Sequence, residues 1–128
     1  MRVLIDTHAL IWCAVNDAKL SRKARSILSS FETEVFVSAA SAWEMTTKVR
    51  LGKLPGAEAF AAEFRSRVER LGFRELAIDV DHGQRAGLLP GEHKDPFDRM
   101  LIAQAQAENM PMVSKDVIFD HYRVRRIW

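Results

Sequence analysis

Short apolar runs alternate with segments of helical period along the whole chain, and this alternation constrains the fold more than any other feature. Val3-Leu4-Ile5, Val35-Phe36-Val37, Glu75 to Ile78 and Met112-Val113-Ser114 read as strands, with Arg125 to Trp128 as a further edge strand. Between them the apolar residues suit helices. Ala9 to Val15 is continuously apolar, and Ser21 caps a helix through Phe31 with Ala24, Ile27, Leu28 and Phe31 at helical spacing. Ser41-Ala42-Trp43-Glu44 has the form of a capping box and starts a helix to Leu51, stopped by Gly52. Ala57 to Leu71 is amphipathic, with Phe60, Phe64, Val68 and Leu71 on the inner face, and Gly72 ends it. A short helix from Asp81 to Leu89 precedes the break at Pro90-Gly91. Asp95 as N-cap and Pro96 at the first helical position then open a helix ending near Asn109, and a last helical turn begins near Asp116. Strands alternating with helices predict an α/β fold: a short, mostly parallel central sheet flanked by helices.

A chain of 128 residues without repeats or serine-glycine linkers is one domain over residues 1–128, long enough to bury about two-thirds of its unfolded surface. A hydrophobic fraction of 48% with 28% charged residues excludes the disordered and collagen-like classes. One cysteine, Cys13, allows neither a disulfide framework nor a cysteine-built zinc site, and its apolar surroundings predict a buried, inert thiol. No window approaches the ~18 apolar residues of a membrane span, and the apolar start is too short for a signal segment, so the expected setting is cytoplasmic with no membrane contact. A net charge of +2 tolerates a polyanion without demanding one.

In open parallel sheets the ligand site lies beyond the carboxyl ends of the strands. Asp6 follows the first strand there, and Asp116 follows the fourth. Glu44 and Asp98 each stand three residues after an N-cap, Ser41 and Asp95, so their helix starts face the same rim. Four carboxylates from separated segments converging in one place repel one another unless protons or a cation intervene. Oxygen-only ligands without a histidine or cysteine cluster suit Mg²⁺ or Mn²⁺. Such a site orients a phosphodiester and activates water, which is the chemistry of nucleic-acid cleavage. The same positions also suit plain structure: strand-end acids make turns and caps, and acids at a third helical position answer the helix dipole.

Other chemistries lack their residues. No G-x-x-x-x-G-K or G-x-G-x-x-G loop cradles phosphates, no G-x-S-x-G elbow appears, and His8, His82, His93 and His121 show no metal-ligand spacing and read as surface or capping residues. A phosphoacceptor pocket wants paired acids after the first strand, whereas Thr7 follows Asp6. Trp12, Trp43, Trp128, Phe60, Phe64, Phe73, Phe97 and Phe119 read as packing. Lys48 is either an i,i+4 partner of Glu44 or a phosphate contact, and Arg99 and the Arg123-Arg125-Arg126 cluster are either solvated or set against an RNA backbone.

The segments Leu4-Ile5-Asp6-Thr7-His8-Ala9-Leu10-Ile11-Trp12, Val37 to Glu44, Lys48 to Leu54, Asp95 to Ala105 and Val113-Ser114-Lys115-Asp116 resemble PIN-domain proteins, specifically the VapC-type toxins of bacterial toxin–antitoxin systems. The resemblance runs in order along essentially the whole chain. It implies a PIN-like fold and a Mg²⁺- or Mn²⁺-dependent endoribonuclease whose metal-binding and catalytic acids are Asp6, Glu44, Asp98 and Asp116. Thr7 and Ser114 become hydroxyl neighbours of that site, and Asp95 a supporting or capping acid. Ser114 stands where many relatives carry threonine. The resemblance also implies an RNA substrate, a homodimer and a cognate antitoxin that covers the acidic site, with Leu20, Ile27, Phe31 and Leu54 as candidate contact residues. The alternative is a catalytically inactive PIN-like module that binds RNA or metal for regulation.

Overall fold

A computed structural model describes residues 1–128. Five strands, β1 (Arg2–Ile5), β2 (Glu34–Ser38), β3 (Arg74–Leu76), β4 (Met112–Val113) and β5 (Arg126–Ile127), form one sheet in the order β3-β2-β1-β4-β5. Every pairing is parallel, β5 included, so the expectation of a mostly parallel sheet becomes a wholly parallel one. The chain moves outward from β1 through β2 to β3, then returns to the other side of β1 for β4. The order therefore reverses between β1 and β4, where Leu4 pairs with Met112 and Ile5 with Val113, and a ligand crevice is expected at their carboxyl ends.

The helices are α1 (Thr7–Ala14), α2 (Arg22–Ser29), α3 (Ala39–Arg50), α4 (Glu58–Ala62), α5 (Phe64–Arg70), α6 (Val80–Leu88) and α7 (Pro96–Glu108), followed by a 3-10 turn over Val117–Tyr122. Strand residues alternate between the two sheet faces. Val3, Ile5, Val35 and Val37 accordingly join a core with Leu10, Leu28, Met45, Phe60 and Val68. On the opposite face Leu4 and Met112 pack with Leu101, Ile102, Ala105 and Phe119.

Several sequence expectations shift. The helix carrying Glu44 is capped not by Ser41 but by Ser38, whose hydroxyl accepts the Ala40 N–H at 2.9 Å, because β2 runs straight into the helix without a loop. Ser41 lies within the first turn, and Glu44 is one turn deeper than its spacing suggested. The helix from Ser21 stops at Ser29, which leaves Phe31 fully exposed, whereas Leu20 is buried in the core and offers no partner surface. The expected helix over residues 57–71 breaks at Glu63 (φ −125°, ψ 38°), although no glycine or proline stands there. Trp43, read as packing, is 59% exposed. Cys13 is half-buried rather than buried; burial still pushes its thiol pKa up, consistent with an inert side chain. No helix is long and apolar enough to cross a membrane.

Candidate active site

Asp6 is the first residue after β1 and the N-cap of α1. Its Oδ1 accepts the Ala9 N–H at 2.7 Å, and its Oδ2 accepts the Ser114 hydroxyl from the end of β4. The Ser114 oxygen in turn accepts the Asp116 N–H at 2.9 Å, so the two strand ends at the reversal point are tied together through one carboxylate. Each oxygen of Asp6 retains acceptor capacity beyond these bonds. Asp6 is buried, and desolvation raises its pKa, opposed by its bonds to Ser114 and Ala9.

Glu44 is buried on α3. The Thr7 hydroxyl lies 2.5 Å from Glu44 Oε1 and 3.0 Å from Ser41 Oγ. With a single proton, Thr7 donates to the carboxylate and leaves Ser41 to donate to Thr7. The other carboxylate oxygen of Glu44 is paired with Lys48 one turn on. Both sequence readings of Lys48 are thus compatible: it is the ion-pair partner of Glu44, and it lines the same cleft as the acids.

Asp95 caps α7 by accepting the N–H groups of Phe97 and Asp98 at 2.9 and 3.0 Å, with Pro96 completing the helix start as expected. This cap places Asp98 in the first turn, where its Oδ2 meets His93 Nε2 at 3.0 Å. Burial pushes the Asp98 pKa up to about 6; the His93 bond opposes the rise, while Asp95, Glu44 and Asp116 add to it. Asp95, Glu44 and Asp116 are thus within electrostatic reach of Asp98, and Glu44 is within reach of Asp6. Asp116 is exposed and caps the 3-10 turn through the Ile118 N–H at 3.0 Å.

Asp6, Glu44, Asp95, Asp98 and Asp116 line one open cleft of about 390 Å³ with Thr7, His8, Trp12, Lys48, Leu101 and Lys115. The topology therefore brings together all four acids selected from sequence. Ser114 supports the cleft from below, whereas Arg99 turns away from it. The Arg99 guanidinium donates to the carbonyls of Ala86, Gly87, Leu89 and His93, which corrects its reading as an RNA contact: its donors are spent on fastening the loop that carries His93. Arg126 is likewise engaged, by Asp120 and the Ser114 carbonyl. Sequence reasoning missed His8, His93, Trp12 and Lys115 as cleft neighbours. His8 and Lys115 could have been found, since each sits beside a strand-end acid; His93 lies in a Pro-Gly loop without periodicity.

The donor set fits a hard divalent cation. It is oxygen-rich, two of its carboxylates are driven toward protonation by burial, and Lys48 and His93 are the cationic or cation-capable groups already drawn against it. A second tight grouping, Asp79, His82 and Glu108, lies outside this cleft. There His82 Nδ1 accepts the Asp79 N–H and completes the capping box of α6, while Nε2 faces Glu108 at 2.9 Å and ties α6 to α7.

A model of the PIN domain matches residues 3–125. This chain belongs to the PIN-domain family. Over 60 residues this PIN domain is 38% identical to Ribonuclease VapC16 of Mycobacterium tuberculosis (strain ATCC 25618 / H37Rv), a match covering 47% of the chain and 43% of that relative's length. Among solved structures, Mycobacterium tuberculosis VapC20, described as a sarcin-ricin loop cleaving toxin, is similar with a TM-score of 0.62 at 20% identity, covering 93% of each chain. VapBC2 from Rickettsia felis, bound to a DNA fragment from its promoter, is similar with a TM-score of 0.64 at 15% identity, covering 97% of this chain and 93% of that one. At these identities the structural likeness establishes the fold.

Proposed function

We propose that this PIN domain is a Mg²⁺- or Mn²⁺-dependent endoribonuclease and the toxin of a toxin–antitoxin pair. The observation that carries the reading is the convergence of Asp6, Glu44, Asp98 and Asp116, from four separate segments, on one cleft at the carboxyl ends of β1 and β4. Its relative VapC16 bears the name ribonuclease, which supports the same class.

Asp6, Asp98 and Asp116 would hold the cation, with Glu44 alongside, directly or through water. When bound, the cation supplies Lewis acidity toward a phosphoryl oxygen and makes water a competent nucleophile near neutral pH. The chain's own residues do the rest. Ser114 and the Ala9 N–H fix the rotamer of Asp6, and Thr7 fixes Glu44 so that its acceptor faces the cleft. Glu44 can take a proton from water there, being a buried carboxylate already oriented by two partners. Lys48 and Lys115 line the cleft with positive charge that meets the phosphate backbone. Asp95 holds the first turn of α7, and so Asp98, in register.

The reading extends to an antitoxin that covers the acidic cleft and to a second copy of the chain as a dimer partner, in a cytoplasmic setting. Fully exposed Phe31 and exposed Val15 and Leu51 are apolar surface available to such partners. The test is cleavage of a panel of structured RNAs by purified, antitoxin-free protein with Mg²⁺, Mn²⁺ or EDTA. Cleavage that requires metal is expected. Metal binding without cleavage of any RNA would instead favour the regulatory, non-catalytic module.

A further inference from the structure

Beside the acids stand two aromatic residues that the hydrolytic chemistry does not use. Trp43 precedes Glu44 on α3, and Phe97 precedes Asp98 on α7. Successive helical residues point about 100° apart, so both rings flank the acid cleft instead of lining it. They meet each other edge to face, with centroids 4.7 Å apart and an interplanar angle of 73°. Trp43 nevertheless leaves 59% of its surface open to water. Lys48 joins this pair to the chemistry: its ammonium is bound to Glu44 and lies 6.0 Å from the centre of the Phe97 ring.

Trp12 also borders the cleft but differs in its surroundings. His8 and Trp128 pack on it at 6.0 and 5.8 Å, and the Lys19 ammonium lies 5.9 Å from its ring centre. Its neighbours already occupy it, whereas Trp43 has an open surface.

We propose that Trp43, backed by Phe97, is a stacking site for an unpaired nucleobase of the RNA whose phosphodiester lies at the acid cleft. This rests on the ribonuclease reading and adds to it the residue that holds a base beside the cleft. A flat aromatic surface beside a lysine on one side, and a phosphodiester-cleaving cleft on the other, matches a polyanion whose bases present π-faces. Base pairing hides those faces within the stack, so a continuous duplex offers Trp43 nothing to stack on. Stacking of this kind is tolerant of base identity, so the pair selects strandedness before sequence.

The test compares wild type, Trp43→Ala and Trp43→Phe in two assays. The first measures binding of a fluorescently labelled short single-stranded RNA of mixed sequence, and of the same strand in a duplex, in EDTA. The second measures cleavage of the single strand with Mn²⁺, resolved into KM and kcat. The expected result is that Trp43→Ala weakens single-strand binding and raises KM by about ten- to a hundredfold, from the loss of one stacked base. Its kcat stays close to that of wild type, Trp43→Phe recovers most of the loss, and duplex binding does not respond to either substitution. Trp43→Ala binding and cleaving the single strand like wild type would overturn the proposal, as would an equal loss on duplex and single strand. A loss confined to self-association, read by light scattering, would overturn it too and assign the pair to an interface between copies. If wild type cuts no RNA but single-strand binding still depends on Trp43, the stacking site stands and the ribonuclease reading falls. If wild type binds no RNA, both fall.

Discussion

Asp6 shows how one side chain can carry several demands at once. It caps α1, anchors Ser114 on the neighbouring strand, and faces the cleft with acceptor capacity left over. Asp6→Asn preserves the shape and one acceptor oxygen but removes the charge a hard cation needs. We expect this variant to lose cleavage by at least about a hundredfold while its circular dichroism spectrum is unchanged; full activity would remove Asp6 from the mechanism. Asp98 makes the electrostatic cost visible. Its folded pKa of about 6 lies above its ordinary value of 3.8. Since the folded state holds this proton more tightly, its contribution to stability is complete below about pH 4 and is lost as pH rises through 6, by at most ~3 kcal/mol. Asp98→Asn is therefore expected to raise the melting temperature in EDTA at pH 7.5 by a few degrees, and to leave it nearly unchanged at pH 4. A lower melting temperature at pH 7.5 would mean that the charge of Asp98 at the start of α7, and its bond to His93, outweigh the cost of burying that charge beside other acids.

At the scale of elements, helix starts position the site. Asp95→Ala removes two hydrogen bonds from the start of α7 and is expected to cost about 1 kcal/mol in urea unfolding. Because the same turn carries Asp98, the variant should also bind the metal more weakly. Farther back, a buried chain of polar groups joins three elements. Ser38 at the start of α3 bonds to Gln104 on α7, and Gln104 also reaches the Ala77 carbonyl at 3.2 Å and His82 on α6. Gln104→Leu leaves the buried Ser38 hydroxyl without an acceptor for its proton, so a loss of about 2 kcal/mol in the same measurement is expected. These elements differ in how legible they are. The Asp95-Pro96 start of α7 and its end at Asn109, which adopts the left-handed conformation, follow from local chemistry that any such sequence would show. The start of α3 misleads, because Ser38 and Ser41 are both good caps and only the position of β2 in the sheet decides between them. The break at Glu63 has no local signal. Nor does the role of Arg99, whose four carbonyl partners come from the end of α6 and the loop after it; the charge that suggests a solvated or RNA-facing residue instead clamps that loop.

Over the whole molecule, the parallel sheet explains why distant acids can meet. A strand order that reverses between β1 and β4 brings residues 6 and 116 to neighbouring strand ends, while α3, which follows β2 directly, and the start of α7, which follows α6, deliver 44 and 98 to the same edge. Alternating apolar runs made the parallel sheet legible, and the strand-end rule then selected the acids. The order of the strands, which makes those acids neighbours, was not readable from local pattern. Burying charge on Asp6 and Asp98 in this cleft costs the fold stability, and the proposed cation would offset that cost. The most direct test is calorimetric titration of Mn²⁺ into wild type and Asp6→Asn at pH 7.5 and again at pH 5. The arrangement predicts saturable binding to wild type at pH 7.5, weakened at pH 5 as Asp98 takes up its proton, and lost in Asp6→Asn. Equal binding by the two proteins, or binding indifferent to pH between these values, would contradict it.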